Sequence, residues 1–204
     1  MKILLFLPNA FEHMESSIFI DVFGWARNDF GQDIDVETCG FTREVNSTFG
    51  VPVIVRHLIH EIAAEQYDAL ALPGGFQEFG YYEEAFQEPL LQLIRDFHNQ
   101  GKPIASVCVA ALVLGQSGIL KGKRATTYHL KENDRLSMLA DYGALTLRER
   151  IVVDNRIITS CGPETAVWVA FRLLEMLTSA NTAGKVREAM GYLFTIDKNG
   201  NSVY

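Results

Sequence analysis

Short apolar runs of four to seven residues alternate along the chain with longer segments whose apolar positions recur at helical spacing. This is the pattern of βαβ units that build a parallel sheet covered on both faces. The runs predict strands at Lys2 to Leu7, Ile34 to Cys39, Ala69 to Leu72, Ile104 to Val107, Ala125 to Thr127 and Ile157 to Ser160. Val51 to Val55 and Arg150 to Val153 read as additional strands, the latter forming a hairpin with Ile157 to Ser160 through Asp154-Asn155. Helical spacing covers Glu15 to Asn28, Glu83 to Asn99, Val109 to Gln116, Asn133 to Asp141, Glu164 to Thr178 and Thr182 to Met190, with Gly101 and Gly118 just beyond two of the ends. No internal repeat, low-complexity tract or Pro/Ser-rich linker interrupts the alternation. The expectation is one α/β sandwich domain over residues 1–194 followed by a mostly polar tail, 195–204.

With 204 residues, 48% of them hydrophobic and 21% charged, the chain has room for a full core and the composition of an ordinary globular protein. A formal net charge of −7 argues against nucleic acid as a partner, and the basic turn Lys121-Gly122-Lys123-Arg124 reads as solvated surface. The nearly apolar run from Ile104 to Gly115 falls well short of the ~20 residues that span a bilayer, so no membrane helix is expected. The apolar stretch after Met1-Lys2 stops at Pro8 with no small-residue cleavage pattern behind it, which does not support a secretory signal. Cys39, Cys108 and Cys161 are odd in number and widely spaced, which suits a reducing, cytoplasmic location better than a disulfide framework.

In an open parallel sheet, ligands bind beyond the carboxyl ends of the strands, and three such places carry chemistry. Cys108 sits where a buried strand turns directly into a helix, with small Ser106 and Ala110 to either side, as in a nucleophile elbow. The helix N-terminus there is expected to lower the thiol pKa. Pro73-Gly74-Gly75 ends another strand, and its backbone N–H groups, with those of Cys108 and Val109, are candidates for an oxyanion hole. Glu12, His13 and Glu15 cluster after the first strand, where a buried, protonated Glu15 would donate a hydrogen bond to the sulfur. His129 follows Ala125 to Thr127 and is the best placed of five histidines for a Cys-His arrangement. His57 and His60 could share a helical face but lack a third ligand, so no metal site is expected. Phe11, Phe76, Phe79, Tyr81 and Tyr128 are candidate pocket aromatics.

Met14-Glu15 after Leu4-Leu5-Phe6-Leu7-Pro8, then Leu72-Pro73-Gly74-Gly75, Ser106-Val107-Cys108-Val109-Ala110, Thr126-Thr127-Tyr128-His129 and Ile158-Thr159-Ser160-Cys161-Gly162-Pro163, in this order, resemble the ThiJ/PfpI (DJ-one/PfpI) family of the class I glutamine amidotransferase-like superfamily. The resemblance implies a flavodoxin-like three-layer sandwich, usually dimeric, with Cys108 as the reactive cysteine and Glu15 hydrogen-bonded to it. It also implies that Asp21 pairs with His129, and because Asp21 is six residues beyond Glu15 on one helix, it faces away from Glu15 and would reach His129 across a homodimer. Val109 stands where the peptidase-like branch carries histidine, and Glu15 and Val109 stand where the isocyanide hydratase branch carries aspartate and threonine. No helix-turn-helix segment follows the domain. The function this implies is cofactor-independent, cysteine-dependent chemistry on small reactive carbonyls, of the glyoxalase or deglycase kind. The alternatives are a redox-responsive stress protein or chaperone with an oxidisable cysteine, an isocyanide hydratase-like or amidase/peptidase-like hydrolase, and a binding module that has lost activity.

Overall fold

The computed structural model describes residues 1–131 and 134–193, together with the backbone of Thr195–Ile196 and Ser202–Val203. Strand β1 (Lys2–Phe6) leads through helix α1 (His13–Phe30) to β2 (Asp35–Gly40), a hairpin of β3 (Glu44–Asn46) and β4 (Pro52–Ile54), the short β5 (His57–Leu58) and β6 (Ala69–Leu72). Helices α2 (Tyr81–Ala85) and α3 (Glu88–Asn99) precede β7 (Ile104–Ser106), α4 (Ala110–Gln116), β8 (Arg124–Ala125), α5 (Arg135–Asp141) and β9 (Leu145–Thr146). The chain continues through β10 (Ile151–Asp154), β11 (Ile157–Ser160), α6 (Ala166–Leu177) and α7 (Ala180–Ala189), and Thr195–Ile196 pairs antiparallel with Ser202–Val203.

Seven strands form the central sheet in the order β10-β11-β7-β6-β1-β2-β5, parallel throughout except for the β10–β11 hairpin. Its middle strands are buried on both faces: Ile3, Leu4 and Leu5 of β1 and every residue of β6 are sealed from solvent, which is why these segments read as unbroken apolar runs. Helices α1, α6 and α7 pack together as one layer, and α3, α4 and α5 as the other. The chain leaves β1 toward β2 on one side and returns to β6 on the other. With right-handed crossovers this places the topological switch point between β1 and β6, where ligands bind in sheets of this order.

The expected flavodoxin-like α/β sandwich is the observed architecture, with differences at its margins. The helix expected over Glu83 to Asn99 is two, interrupted at Phe86 and Gln87, because Pro89 at the start of α3 favours a first-turn position over the middle of a continuous helix. Val51 to Val55 contributes β4 to a separate hairpin with β3, outside the central sheet. Ala125 to Thr127 is likewise no strand of that sheet: only Arg124–Ala125 is extended, paired with β9, and Thr126 hangs from β11 through its N–H to the Thr159 hydroxyl. His57 lies on β5 and His60 in a 3₁₀ turn, so the two do not share a helix face. The predicted helix start at Asn133 and most of the 195–204 tail lie outside the described residues. Among the described residues, no helix is long and apolar enough to cross a membrane.

Candidate active site

Beyond β7 the backbone turns so sharply that Cys108 adopts φ +58, a left-handed conformation that costs a non-glycine residue roughly 1–2 kcal/mol. Helix α4 begins two residues later. The elbow is held by the Cys108 N–H, which donates to the Ser160 carbonyl at the end of β11 (3.0 Å), and by the Val107 N–H, which donates to the Leu72 carbonyl of β6 (3.1 Å). Ser106 and Ala110 are fully buried where strand and helix cross, which is the reason for small residues there.

The sulfur is presented to a carboxyl. Glu15, in the first turn of α1, has no solvent exposure, and its Oε2 accepts from the Gly74 N–H at 2.6 Å. Burial is the main cause that pushes its pKa up to about 8. The Gly74 hydrogen bond opposes the shift, the nearby Glu12 carboxylate adds to it, and the interaction with the Cys108 thiol draws it back slightly. Among the described residues no cation acts on Glu15, so at neutral pH it is mostly a carboxylic acid, as expected for the group beside the sulfur. A Cβ on Gly74 would lie 2.8 Å from the Cys108 Cβ and 3.0 Å from Glu15 Oε2, so glycine is required for the three to meet. At Gly75 a Cβ would come within 2.3 Å of both the Ala10 carbonyl oxygen and the Tyr81 ring.

Two parts of the expected chemistry change. Cys108 is only 8% exposed, and burial together with the adjacent Glu15 raises its thiol well above the ordinary range instead of lowering it. A hydrogen bond from the Val109 N–H and the charge of Arg135 pull in the other direction and do not win. The expected oxyanion hole also shrinks, because the Cys108 N–H is spent on Ser160 and the Gly74 N–H on Glu15. Of the candidate donors, Val109 is directed at the sulfur, while Gly75 serves close packing.

His129 is half-buried, and its Nδ1 donates to the Thr127 carbonyl (2.8 Å), leaving Nε2 as the available nitrogen. Its loop is tied to the elbow through the Thr127 hydroxyl, which donates to the Cys108 carbonyl (3.1 Å). Among the described residues no hydrogen bond joins His129 to Cys108 or to Asp21. Asp21 is exposed on the outer face of α1, remote from Glu15 on the same helix, as its spacing predicts.

Phe11 and Tyr81 are wholly buried and belong to the core, whereas Phe76, Phe79 and Tyr128 keep exposed surface. Sequence reasoning passed over Arg135, whose guanidinium lies over the Tyr128 ring (5.5 Å to the centroid) and acts on both the Tyr82 hydroxyl and the Cys108 sulfur. Nothing in its local sequence marks it, because only the packing of α5 against α4 brings it to the elbow. No group of three or more metal-ligating side chains occurs among the described residues.

A strained cysteine at a strand–helix junction, faced by a buried carboxyl at the switch point of a parallel sheet, defines an α/β protein with a cysteine elbow. The DJ-1/PfpI family model matches residues 1–176, and the chain belongs to that family. It is 34% identical over 125 residues to an isonitrile hydratase of Pseudomonas putida, covering 61% of this chain and 52% of that protein. To the deglycase PfpI of Pyrococcus furiosus it is 27% identical over 165 residues, 80% of this chain and 91% of that one. The fold matches the crystal structure of Drosophila melanogaster DJ-1beta with a TM-score of 0.80 at 26% identity, over 93% of this chain and 96% of that one. The chain spans 62% of the Methanocaldococcus jannaschii protein MJ0967, and 38% and 40% of the Arabidopsis thaliana DJ-1 homologs A and B.

Proposed function

We propose that this protein converts small 2-oxoaldehydes to 2-hydroxycarboxylates by covalent catalysis at Cys108, without a cofactor. The observation that carries the reading is the buried Glu15 carboxyl, with a pKa of about 8, against a strained and otherwise protonated thiol. Two coupled groups of this kind share protons, and the singly ionised pair is the reactive form. In it, the Glu15 carboxylate takes the thiol proton as sulfur attacks the aldehyde carbon, so the thiolate forms only when the bond forms. The Val109 N–H and the Arg135 charge favour the anionic sulfur.

The hemithioacetal then loses the hydrogen on its former aldehyde carbon as a proton, and the neighbouring ketone carbon gains one. This leaves a thioester beside a new hydroxyl group. Water adds to the thioester, the C–S bond breaks, and the hydroxycarboxylate leaves with the thiol restored. One carbon is oxidised and its neighbour reduced, so the sum is addition of water. Glu15 and His129 Nε2 are the groups that move the protons. Relatives named deglycase, isonitrile hydratase and DJ-1 make the family compatible with this chemistry and with others on the same site. Methylglyoxal is the test substrate: wild type is expected to form lactate and Cys108→Ala none, and lactate formation by Cys108→Ala would end the proposal.

The same reading takes the working unit as a homodimer in which Asp21 of a second copy orients His129. Its support is the outer face of α1, which exposes Met14, Ile20 and Trp25 alongside Asp21. Sedimentation should give twice the chain mass, and a monomer at working concentration would remove Asp21 from the mechanism. A redox-responsive stress role is favoured by the same uncharged carboxyl, which can donate a hydrogen bond to a sulfinate on Cys108. Two oxygens added to Cys108 by mild peroxide, in a chain that turns over no aldehyde, would select that role.

A further inference from the structure

Three phenylalanines from two loops converge at the edge of the sheet that carries the elbow. Phe49, at the tip of the β3–β4 hairpin, lies 5.7 Å from Phe76 and 6.2 Å from Phe79 between ring centroids, and Phe76 and Phe79 are 6.2 Å apart at 88°. The cluster is not sealed: Phe49 is 68% exposed and Phe79 51%. Edge-to-face contacts of this kind leave ring faces open to solvent.

The cluster is fixed to the site. The Phe11 backbone bridges Ser47 on one side and Gly75 on the other, and the next residue, Glu12, donates its N–H to the Gly74 carbonyl (2.7 Å). The hairpin tip is pinned to the same segment through the Thr48 hydroxyl, which donates to the Ala10 carbonyl (2.6 Å), and the Thr48 N–H, which donates to the Phe11 carbonyl (2.8 Å). Phe76 is two residues from Gly74, whose N–H donates to Glu15 (2.6 Å) and whose position is so close to Cys108 that an added Cβ would meet the Cys108 Cβ at 2.8 Å. The two loops that carry the rings are thus tied by backbone hydrogen bonds to the segment that leads to Gly74.

We infer that Phe49, Phe76 and Phe79 form an apolar rim that selects carbonyl substrates bearing an aryl group, so that aryl 2-oxoaldehydes are favoured over methylglyoxal. The inference rests on the reading of Cys108 as the nucleophile toward 2-oxoaldehydes. The methyl group on the ketone carbon of methylglyoxal is too small to cover the rings, whereas a phenyl group at the same carbon covers open ring face and removes it from water.

The test compares wild type with the double variant Phe49→Ser/Phe79→Ser, chosen because both side chains are largely solvated and leave the core intact. The ratio of kcat/KM for phenylglyoxal to that for methylglyoxal should exceed one in wild type and fall about tenfold in the variant, carried mainly by KM for phenylglyoxal. An unchanged ratio would overturn the inference. A second measurement needs no turnover: alkylation of Cys108 by N-phenyl-2-chloroacetamide against 2-chloroacetamide, followed by intact mass. The ratio of these rates should fall severalfold in the variant. If neither aldehyde is turned over, the proposed activity fails, yet this ratio still decides the rim. Conversion of a dimer to a monomer by the double substitution would show that a second copy covers the rings, and would also overturn it.

Discussion

Two buried glutamates, Glu15 and Glu37, meet opposite fates in this molecule. Glu15 sits at the switch point with one backbone N–H, a thiol and a second carboxylate as neighbours, and its pKa rises to about 8. Glu37 on β2 is also buried. Burial pushes its pKa up, but the Tyr67 hydroxyl (2.8 Å), the Lys2 ammonium (3.2 Å) and His57 (3.0 Å) bring it below the usual carboxylate range. Burial raises both pKa values, more deeply at Glu15, and the partners decide whether that rise survives. At Glu37, four polar neighbours, Arg56 among them, favour the anion that ties β2 to β5, whereas among the described residues no cation acts on Glu15, and its carboxyl stays mostly protonated at neutral pH.

The glycines that let Glu15 reach the sulfur are the most sensitive positions. Gly75→Ala places a methyl group against a backbone oxygen and a buried ring, and is expected to destabilise the fold by ~3 kcal/mol or more in urea unfolding. Gly74→Ala should cost less stability but separate Glu15 from Cys108, so that thiol alkylation loses its dependence on Glu15.

Glu15→Gln comes next, with turnover expected to fall about 10²-fold or more. Its stability signature has a definite sign. A carboxyl with an ordinary pKa near 4.5 unfolded and about 8 folded stabilises the native state fully below pH 4.5, and loses that contribution as pH rises toward and through 8. Wild type should therefore lose stability between pH 5 and pH 8, while Glu15→Gln is flatter across that window. Equal slopes in the two proteins would mean that Glu15 is ionised throughout. Because Glu15 raises the Cys108 thiol, the same substitution should also move the pH midpoint of alkylation downward.

Glu37→Gln should act in the opposite sense. Its contribution is present above the ordinary carboxylate pKa and is lost as pH falls through its lowered one, so the variant should be weaker at pH 7 and converge with wild type in acid. Lys2 and Arg56 are more than half exposed, which screens the ion pairs and holds the expected cost to about 1 kcal/mol. The smallest effect is expected from Arg135→Gln, which removes a charge that favours the thiolate and should shift the alkylation midpoint upward without changing the melting temperature by more than a few degrees.

The alternation of apolar runs and helical segments determined the α/β class, the approximate positions of β1, β2, β6, β7 and the β10–β11 hairpin, and the presence of Cys108, Glu15 and Gly74 at strand ends. It did so because central strands are covered on both faces and strand ends are punctuated by turn residues, both of which are local in sequence. The separate hairpin of β3 and β4, the break before α3 and the detachment of β8 from the central sheet were not legible. A two- or three-residue strand carries no periodicity of its own, and its partner lies elsewhere in the chain.

The same division runs through the site. Residue types and order identified the cysteine and its carboxyl, but a pKa is set by everything within several ångströms regardless of chain distance. Burial of the elbow, the capture of the Gly74 and Cys108 N–H groups, the approach of Arg135 and the gathering of Phe49 with Phe76 and Phe79 were decided only when distant segments packed. Sequence thus chose which groups meet, and tertiary structure chose which of them keep their protons.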